Sequence, residues 1–262
     1  LIGYAPSAFL VALMVLLAIA IARPQLPDVG EKEVIQTRDI VIATDISGSM
    51  SAEIQDPAQR KLAEGEEKKP GEEEVKITAE KAIEQFVAAR SEGCIGLMLF
   101  DDEVYYSWPL STDHKVIQLK NSGVRKYNGG GTNFDGDGVK GKMGPLQAAI
   151  NHFKELGQAK TKILVMVTDG EASISEERFA ELMEQLNGLN IKIYTIGVGD
   201  SWAKGNTSTS SLRMITEASG GLAIAAGDAE QMREGFRMIN SLEKSTVEKE
   251  TTVNHRDIYF YF

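Results

Sequence analysis

Three stretches of this chain carry oxygen-bearing side chains in patterns that could do chemistry. In "DIVIATDISGSM", residues 39–50, an apolar run ends in Asp45, Ser47 and Ser49, one at every second position, with Gly48 between the serines. In "NGGGTNFDGDG", residues 128–138, Thr132 follows three glycines. In "VTDG", Asp169 follows a second apolar run. Together these are two carboxylates and three hydroxyls, without nitrogen or sulfur. Hard oxygen donors in this number suit an octahedral Mg2+ or Mn2+.

Other chemistries fit less well. No G-x-x-x-x-G-K-[ST] phosphate loop is present, no G-x-G-x-x-G follows the first strand, and no G-x-S-x-G elbow is matched. A phosphatase with an aspartyl nucleophile would want a second acid two positions after Asp45, where Ser47 stands. "NFDGDG" begins like a calcium loop, but its twelfth position is Gly144, where a bidentate Glu is required. His114, His152 and His255 lack metal-ligand spacing and are expected at the surface. The single cysteine, Cys94, sits in "CIGLMLF" and is expected in the core.

The elements that must position the five residues follow from periodicity. Residues 39–44, 94–100, 162–169 and 192–199 are near-continuous apolar runs, the pattern of strands buried on both faces. Residues 103–107 follow a tight turn at Asp101 and Asp102 and should run antiparallel to the strand before them. "GGLAIAA" is a short sixth strand. Helical spacing of apolar residues covers 77–90 and the stretch after Pro145. Asp113 is expected to cap a short helix ending near Asn121, Ser173 and Glu176 to open another, and Asp228 and Gln231 a last one reaching Leu242. The alternation implies an α/β fold: a doubly wound, mostly parallel six-stranded sheet of order 3-2-1-4-5-6, strand 3 antiparallel, with helices on both faces. Ligands bind outside the carboxyl ends of such strands where the order reverses, which is where strands 1 and 4 would bring Asp45 and Asp169 together.

Composition bounds the rest. A chain of 262 residues that is 42% hydrophobic can build one full domain with an appendage. Its net charge of −10 argues against nucleic-acid binding. Residues 1–22 carry no charge and are read as a transmembrane helix, stopped by Arg23 and Pro24. Residues 23–37 read as a polar linker, and 243–262 as a linker to a truncated second transmembrane helix, heralded by four aromatics from Tyr259 to Phe262. Between residues 53 and 74 lies a highly charged, exposed insertion. The acidic segment after the first helix favours a periplasmic placement.

The order Asp45-x-Ser47-x-Ser49, then Thr132, then Asp169 in "TDG" resembles the metal-ion-dependent adhesion site of von Willebrand factor A domains, over residues 38–242. That resemblance implies that Ser47, Ser49 and Thr132 would bind the ion directly and Asp45 and Asp169 largely through waters. It implies an open coordination position for a partner's carboxylate, and a binding module that is not an enzyme. The apolar start ending in "ARPQ", with "TIGVG" and "LEKSTVEKE", further resembles the bacterial Bat aerotolerance proteins, although the 53–74 insertion departs from their usual short link. This implies a bacterial inner membrane, Bat-type membrane partners and a MoxR-type AAA ATPase. The alternatives are a metal-dependent hydrolase using the same ion, and a scaffold whose metal site stays empty.

Overall fold

The computed structural model describes residues 5–22, 25–56, 71–127, 129–134, 136–137, 142–170, 174–199, 202, 210–243 and 246–257. The chain divides into two compact units: Leu1–Ile35 with Thr246–Phe262, and Gln36–Ser245.

The first unit holds a helix, Ala5–Ala22, and two strands, Gln25–Gln36 and Thr246–Asp257, that pair as a two-stranded sheet. Among the described residues no helix is long and apolar enough to cross a membrane. The transmembrane helix expected over residues 1–22 is therefore corrected. The helix has 18 residues, a rise of about 27 Å, short of a hydrocarbon core of roughly 30 Å. The polar stretches expected as linkers contain the two paired strands instead. Thr246, Val247, Thr251, Thr252 and Val253 give the second of these a β-branched content that suits a pleated ribbon. The second membrane segment expected from residue 258 lies outside the described residues.

The second unit is built on a six-stranded sheet. Its strands are β1 (Arg38–Asp45), β2 (Cys94–Phe100), β3 (Val104–Ser111), β4 (Thr161–Thr168), β5 (Ile191–Val198) and β6 (Ala223–Ala226). Their order is 3-2-1-4-5-6, with β3 antiparallel to β2 and every other pairing parallel. Central β1 alternates its side chains between two cores. Ile40 and Ile42 pack under helices α1 (Val75–Ala88), α2 (His114–Asn121) and the C-terminal helix. Val41 and Ala43 pack under α3 (Pro145–Leu156), α4 (Glu176–Gly188) and α5 (Ser210–Ala218). The C-terminal helix is α6 (Ala229–Leu242), which lays Met232, Phe236 and Ile239 on the first face.

Local signals place the helix starts. Asp113 accepts from the Lys115 amide and Asp228 from the Gln231 amide, as N-caps do. At α4 the cap is Ser175, which accepts from the Arg178 amide; Ser173 lies outside the described residues. Helix α5 was not expected from the sequence. Two small hairpins also appear, pairing Glu53–Asp56 with Gly71–Glu74 and Gly136–Asp137 with Lys142–Met143. The first pairs the two ends of the charged insertion, whose residues 57–70 lie outside the described set. Cys94 is half-buried rather than in the core. His114 and His152 are half-buried too, hydrogen-bonded to backbone at Arg90, Gly93 and Leu110.

One buried carboxylate ties the start of β1 to the end of α6. Glu243 accepts from Arg38 Nε at 2.8 Å, from Lys192 Nζ at 2.9 Å and from the Tyr194 hydroxyl at 2.7 Å. Burial alone would raise its pKa, but these three donors hold the carboxyl below its ordinary value. A depressed folded-state pKa means stability that is present above the unfolded value of about 4.3 and lost as pH falls through the folded value. Glu243→Gln is therefore expected to cost about 1–3 kcal/mol at pH 7. In urea unfolding the gap between variant and parent should narrow as pH falls through the folded-state pKa of Glu243, where both side chains become neutral.

Candidate metal centre

The carboxyl ends of β1 and β4 lie side by side, with Thr44 opposite Val167. Asp45 closes β1, and Asp169 follows Thr168, the last residue of β4. The chain turns sharply after Asp45 because the side chain captures its own loop: Asp45 Oδ1 accepts from the Ser47 amide at 2.8 Å. Its Oδ2 accepts from Thr132 Oγ1 at 3.2 Å and from Thr168 Oγ1 at 2.5 Å. Ser47 Oγ and Ser49 Oγ stand 3.0 Å apart, and Ser49 Oγ donates to Asp169 Oδ1 at 2.9 Å. All five residues expected at the site thus belong to one hydrogen-bonded set, running Thr132–Asp45–Ser47–Ser49–Asp169.

Burial grades outward. Asp45 and Ser47 are buried, Thr132 and Asp169 half-buried, and Ser49 exposed. Burial pushes the Asp45 carboxyl up to about 6; donors from Ser47 and Thr168 work against this, and the charge of Asp169 adds to it. Two carboxylates at one sheet end, one of them buried, make a place where added positive charge is favoured. Among the described residues no group of three or more His, Cys, Asp or Glu side chains is placed to hold a metal ion. The set here has only two carboxylates, and its other donors are hydroxyls.

Two contributors were not singled out from the sequence. Thr168 donates to Asp45 and accepts from the Gly170 amide at 2.8 Å, so it joins the two strand ends. Its signal was a hydroxyl directly before Asp169 at the end of an apolar strand. Asp101, buried in the turn after β2, folds the glycine loop. Its Oδ2 accepts from the Gly130 amide at 2.7 Å, and its backbone carbonyl from the Asn133 amide at 3.0 Å. On the other side the Gly129 amide donates to Ile46 O at 2.7 Å, and the Gly48 amide to Gly130 O at 3.1 Å. The loop needs glycine for this approach: a Cβ on Gly129 would stand 2.6 Å from Asp101 Oδ2. Likewise a Cβ on Gly170 would stand 2.6 Å from Thr132 Cγ2. Asp101 was read only as part of a turn, since nothing in "FDDE" distinguishes an acid that faces inward.

The family model described as von Willebrand factor type A domain matches residues 39–237. The chain belongs to that family. A curated relative of this A domain, an uncharacterized protein of Borreliella burgdorferi, is 28% identical over 178 residues, covering 67% of this chain. The chain spans 46% of that relative's length. Among solved structures, an aerotolerance-related membrane protein from Bacteroides fragilis is similar, with a TM-score of 0.53 and 15% identity, covering 78% of this chain and 99% of that one. A manganese-loaded Plasmodium vivax TRAP protein is similar with a TM-score of 0.54 and 17% identity, covering 87% and 82% of the two chains. At these identities the likeness to the solved structures is one of fold.

The loop anchor of this A domain generates a prediction. Asp101→Ala removes the acceptor of the Gly130 amide, leaving a donor whose loss should cost about 1–3 kcal/mol locally. Hydrogen exchange at Gly130 should accelerate by about tenfold or more, while amides in the centre of β1, such as Ile42, should keep their protection.

Proposed function

We propose that this A domain is a Mg2+- or Mn2+-dependent protein-binding module. Asp45, Ser47, Ser49, Thr132 and Asp169 would hold the ion, and a carboxylate of a protein partner would complete its coordination. The observation that carries this reading is the all-oxygen set joined through Asp45. Its spacing supports the reading: two neighbouring ligands of an octahedral Mg2+, each at about 2.1 Å, stand about 3 Å apart, and Ser47 Oγ and Ser49 Oγ are separated by 3.0 Å. The manganese named for the Plasmodium vivax neighbour is consistent with a divalent ion. When bound, the ion would supply a positive docking point and neutralise the Asp45–Asp169 pair. Asp45 would fix the loop through its Ser47 bond, and Thr132 would ride on the glycine loop that Asp101 holds.

The module binds rather than catalyses. A hydrolase using the same ion would need a general base beside it. His114 is engaged with the backbone at Arg90 and Gly93, and His152 with the Leu110 amide. The partners we propose are Bat-type membrane proteins and a MoxR-type AAA ATPase, with no role for nucleic acid. Association with a bacterial inner membrane, the domain facing the periplasm, belongs to the same proposal. It draws on the description of the Bacteroides fragilis neighbour as a membrane protein. It also draws on the exposed apolar side chains of helix Ala5–Ala22, among them Phe9, Leu13 and Leu16, since such surface marks contact with protein or membrane.

Calorimetric titration of the full chain tests the ion. The parent should bind Mg2+ and Mn2+, and Asp45→Ala should abolish most of that affinity with the circular dichroism spectrum unchanged; Asp45→Asn should fall between them. Absence of binding by the parent up to millimolar metal would sink the reading. Protease treatment of intact spheroplasts should cleave the domain; protection until the inner membrane is broken would place it in the cytoplasm.

A further inference from the structure

Away from the ion site, between outer strand β3 and helix α2, the sheet opens into a pocket of about 370 Å3. Leu97 and Leu99 of β2 and Trp108 of β3 line it from the sheet, Leu119 and Lys120 from α2, and Tyr127 beyond the turn that follows. Leu97 and Leu99 are almost fully buried, but Leu119 is 70% exposed and stands at the rim as an apolar residue with water on one side. The Lys120 ammonium sits 4.1 Å from the centroid of the Trp108 ring, a cation held over an aromatic face.

The segment that carries Leu119, Lys120 and Tyr127 is basic within an acidic chain. From residue 114 to residue 127 the sequence contains Lys115, Lys120, Arg125 and Lys126 and no Asp or Glu, within a chain of net charge −10. Arg125 is paired with Glu80. Lys115, Lys120 and Lys126 are exposed and have no carboxylate partner among the described residues. An apolar socket walled by leucines and a tryptophan, with the Lys120 ammonium at its rim, is complementary to a large apolar side chain flanked by a carboxylate. Buried aromatic and aliphatic anchors with charged surroundings are how protein segments bind such sockets. A lipid surface would call for a broad basic belt, whereas Lys120 is the one charged residue that lines this pocket.

We infer that this pocket is a docking site for an acidic protein segment that presents a Phe side chain between carboxylates. The anchor would enter between Leu119 and Trp108, and a flanking carboxylate would meet Lys120 where it leans on the indole. The site is separate from the five-residue oxygen set and works without a cation.

The test is a titration of the 15N-labelled full chain, in EDTA, with the peptide Glu-Glu-Phe-Glu-Glu. The chain has two tryptophans, Trp108 and buried Trp202, so two indole signals report. The Trp108 indole should shift saturably while that of Trp202 stays in place. Lys120→Glu and, separately, Leu119→Ser should each weaken binding by about tenfold or more, and both lie at exposed positions whose change leaves the core intact. The same peptide with Ala in place of Phe should also bind about tenfold more weakly. No shift up to millimolar peptide, affinity unchanged by Lys120→Glu, or equal binding of the alanine peptide would each overturn the inference. So would binding of phosphatidylglycerol vesicles with the same Lys120 dependence in place of the peptide, or a Trp108 shift that follows protein concentration alone. Because the titration excludes divalent cations, failure of the ion reading leaves this result standing, and the reverse holds as well.

Discussion

A carboxylate buried at the end of the central strand is the constraint around which this domain is arranged. Taking a charge out of water is costly unless it is paired or hydrogen-bonded. Asp45 meets that cost with donors from three separate places: the Ser47 amide just beyond β1, the Thr132 hydroxyl on the glycine loop and the Thr168 hydroxyl at the end of β4. Each donor fixes a segment that would otherwise be free to wander. The donors do not restore the carboxyl to its ordinary acidity, which stands at about 6 because burial outweighs them. On the proposed reading, a divalent cation held here would offset the charge that burial penalises.

The sheet makes this convergence inexpensive. Parallel neighbours β1 and β4 bring their carboxyl ends to one edge without further instruction, so residues 45 and 169 meet although 124 positions separate them. The opposite end of β1 is also polar. Arg38 begins the strand and reaches Glu243, just past α6, while Lys192 and Tyr194 of β5 bind the same carboxylate. Between the two polar ends, Ile40 to Ala43 are buried on both faces. A strand pinned at both ends and packed on both sides has little freedom to shift, which keeps Asp45 fixed for whatever it binds.

Much of this was legible in the sequence, and the exceptions have physical causes. Unbroken apolar runs announced the parallel strands, and turn acids before residue 103 announced the antiparallel one. The five oxygen residues were legible because each stands at a strand end or beside glycines. Thr168 was passed over since a threonine closing a strand is ordinary by β propensity. Asp101 was passed over since burial of a turn acid depends on a loop that lies nearly thirty residues further on, at Gly130. Helix α5 follows a segment with no strong apolar period, and its core contacts come from Leu212 and Ile215 alone among its buried residues. The membrane reading of residues 1–22 rests on composition, which counts apolar residues but does not fix the extent of a helix; the described helix, Ala5–Ala22, has 18 residues. The ribbon strands read as linkers in the sequence because a two-stranded sheet gets its order from pairing between distant segments, 25–36 with 246–257, and neither segment announces it alone.

The charge distribution constrains what can dock here. A chain of net charge −10 repels acidic proteins at long range, and at physiological ionic strength that repulsion is screened beyond about 8 Å. Recognition of a carboxylate therefore has to be local. On the proposed readings the domain offers two such places, each built differently: an ion held by neutral hydroxyls and two acids, and Lys120 at the rim of an apolar socket. The first would select one carboxylate by coordination. The second selects by shape first, because Lys120 over Trp108 rewards an acid only when an apolar side chain has filled the space beside it. A partner lacking both features meets only the general repulsion. Excess negative charge over the rest of the surface thus sharpens the choice of partner without adding a single contact to the right one.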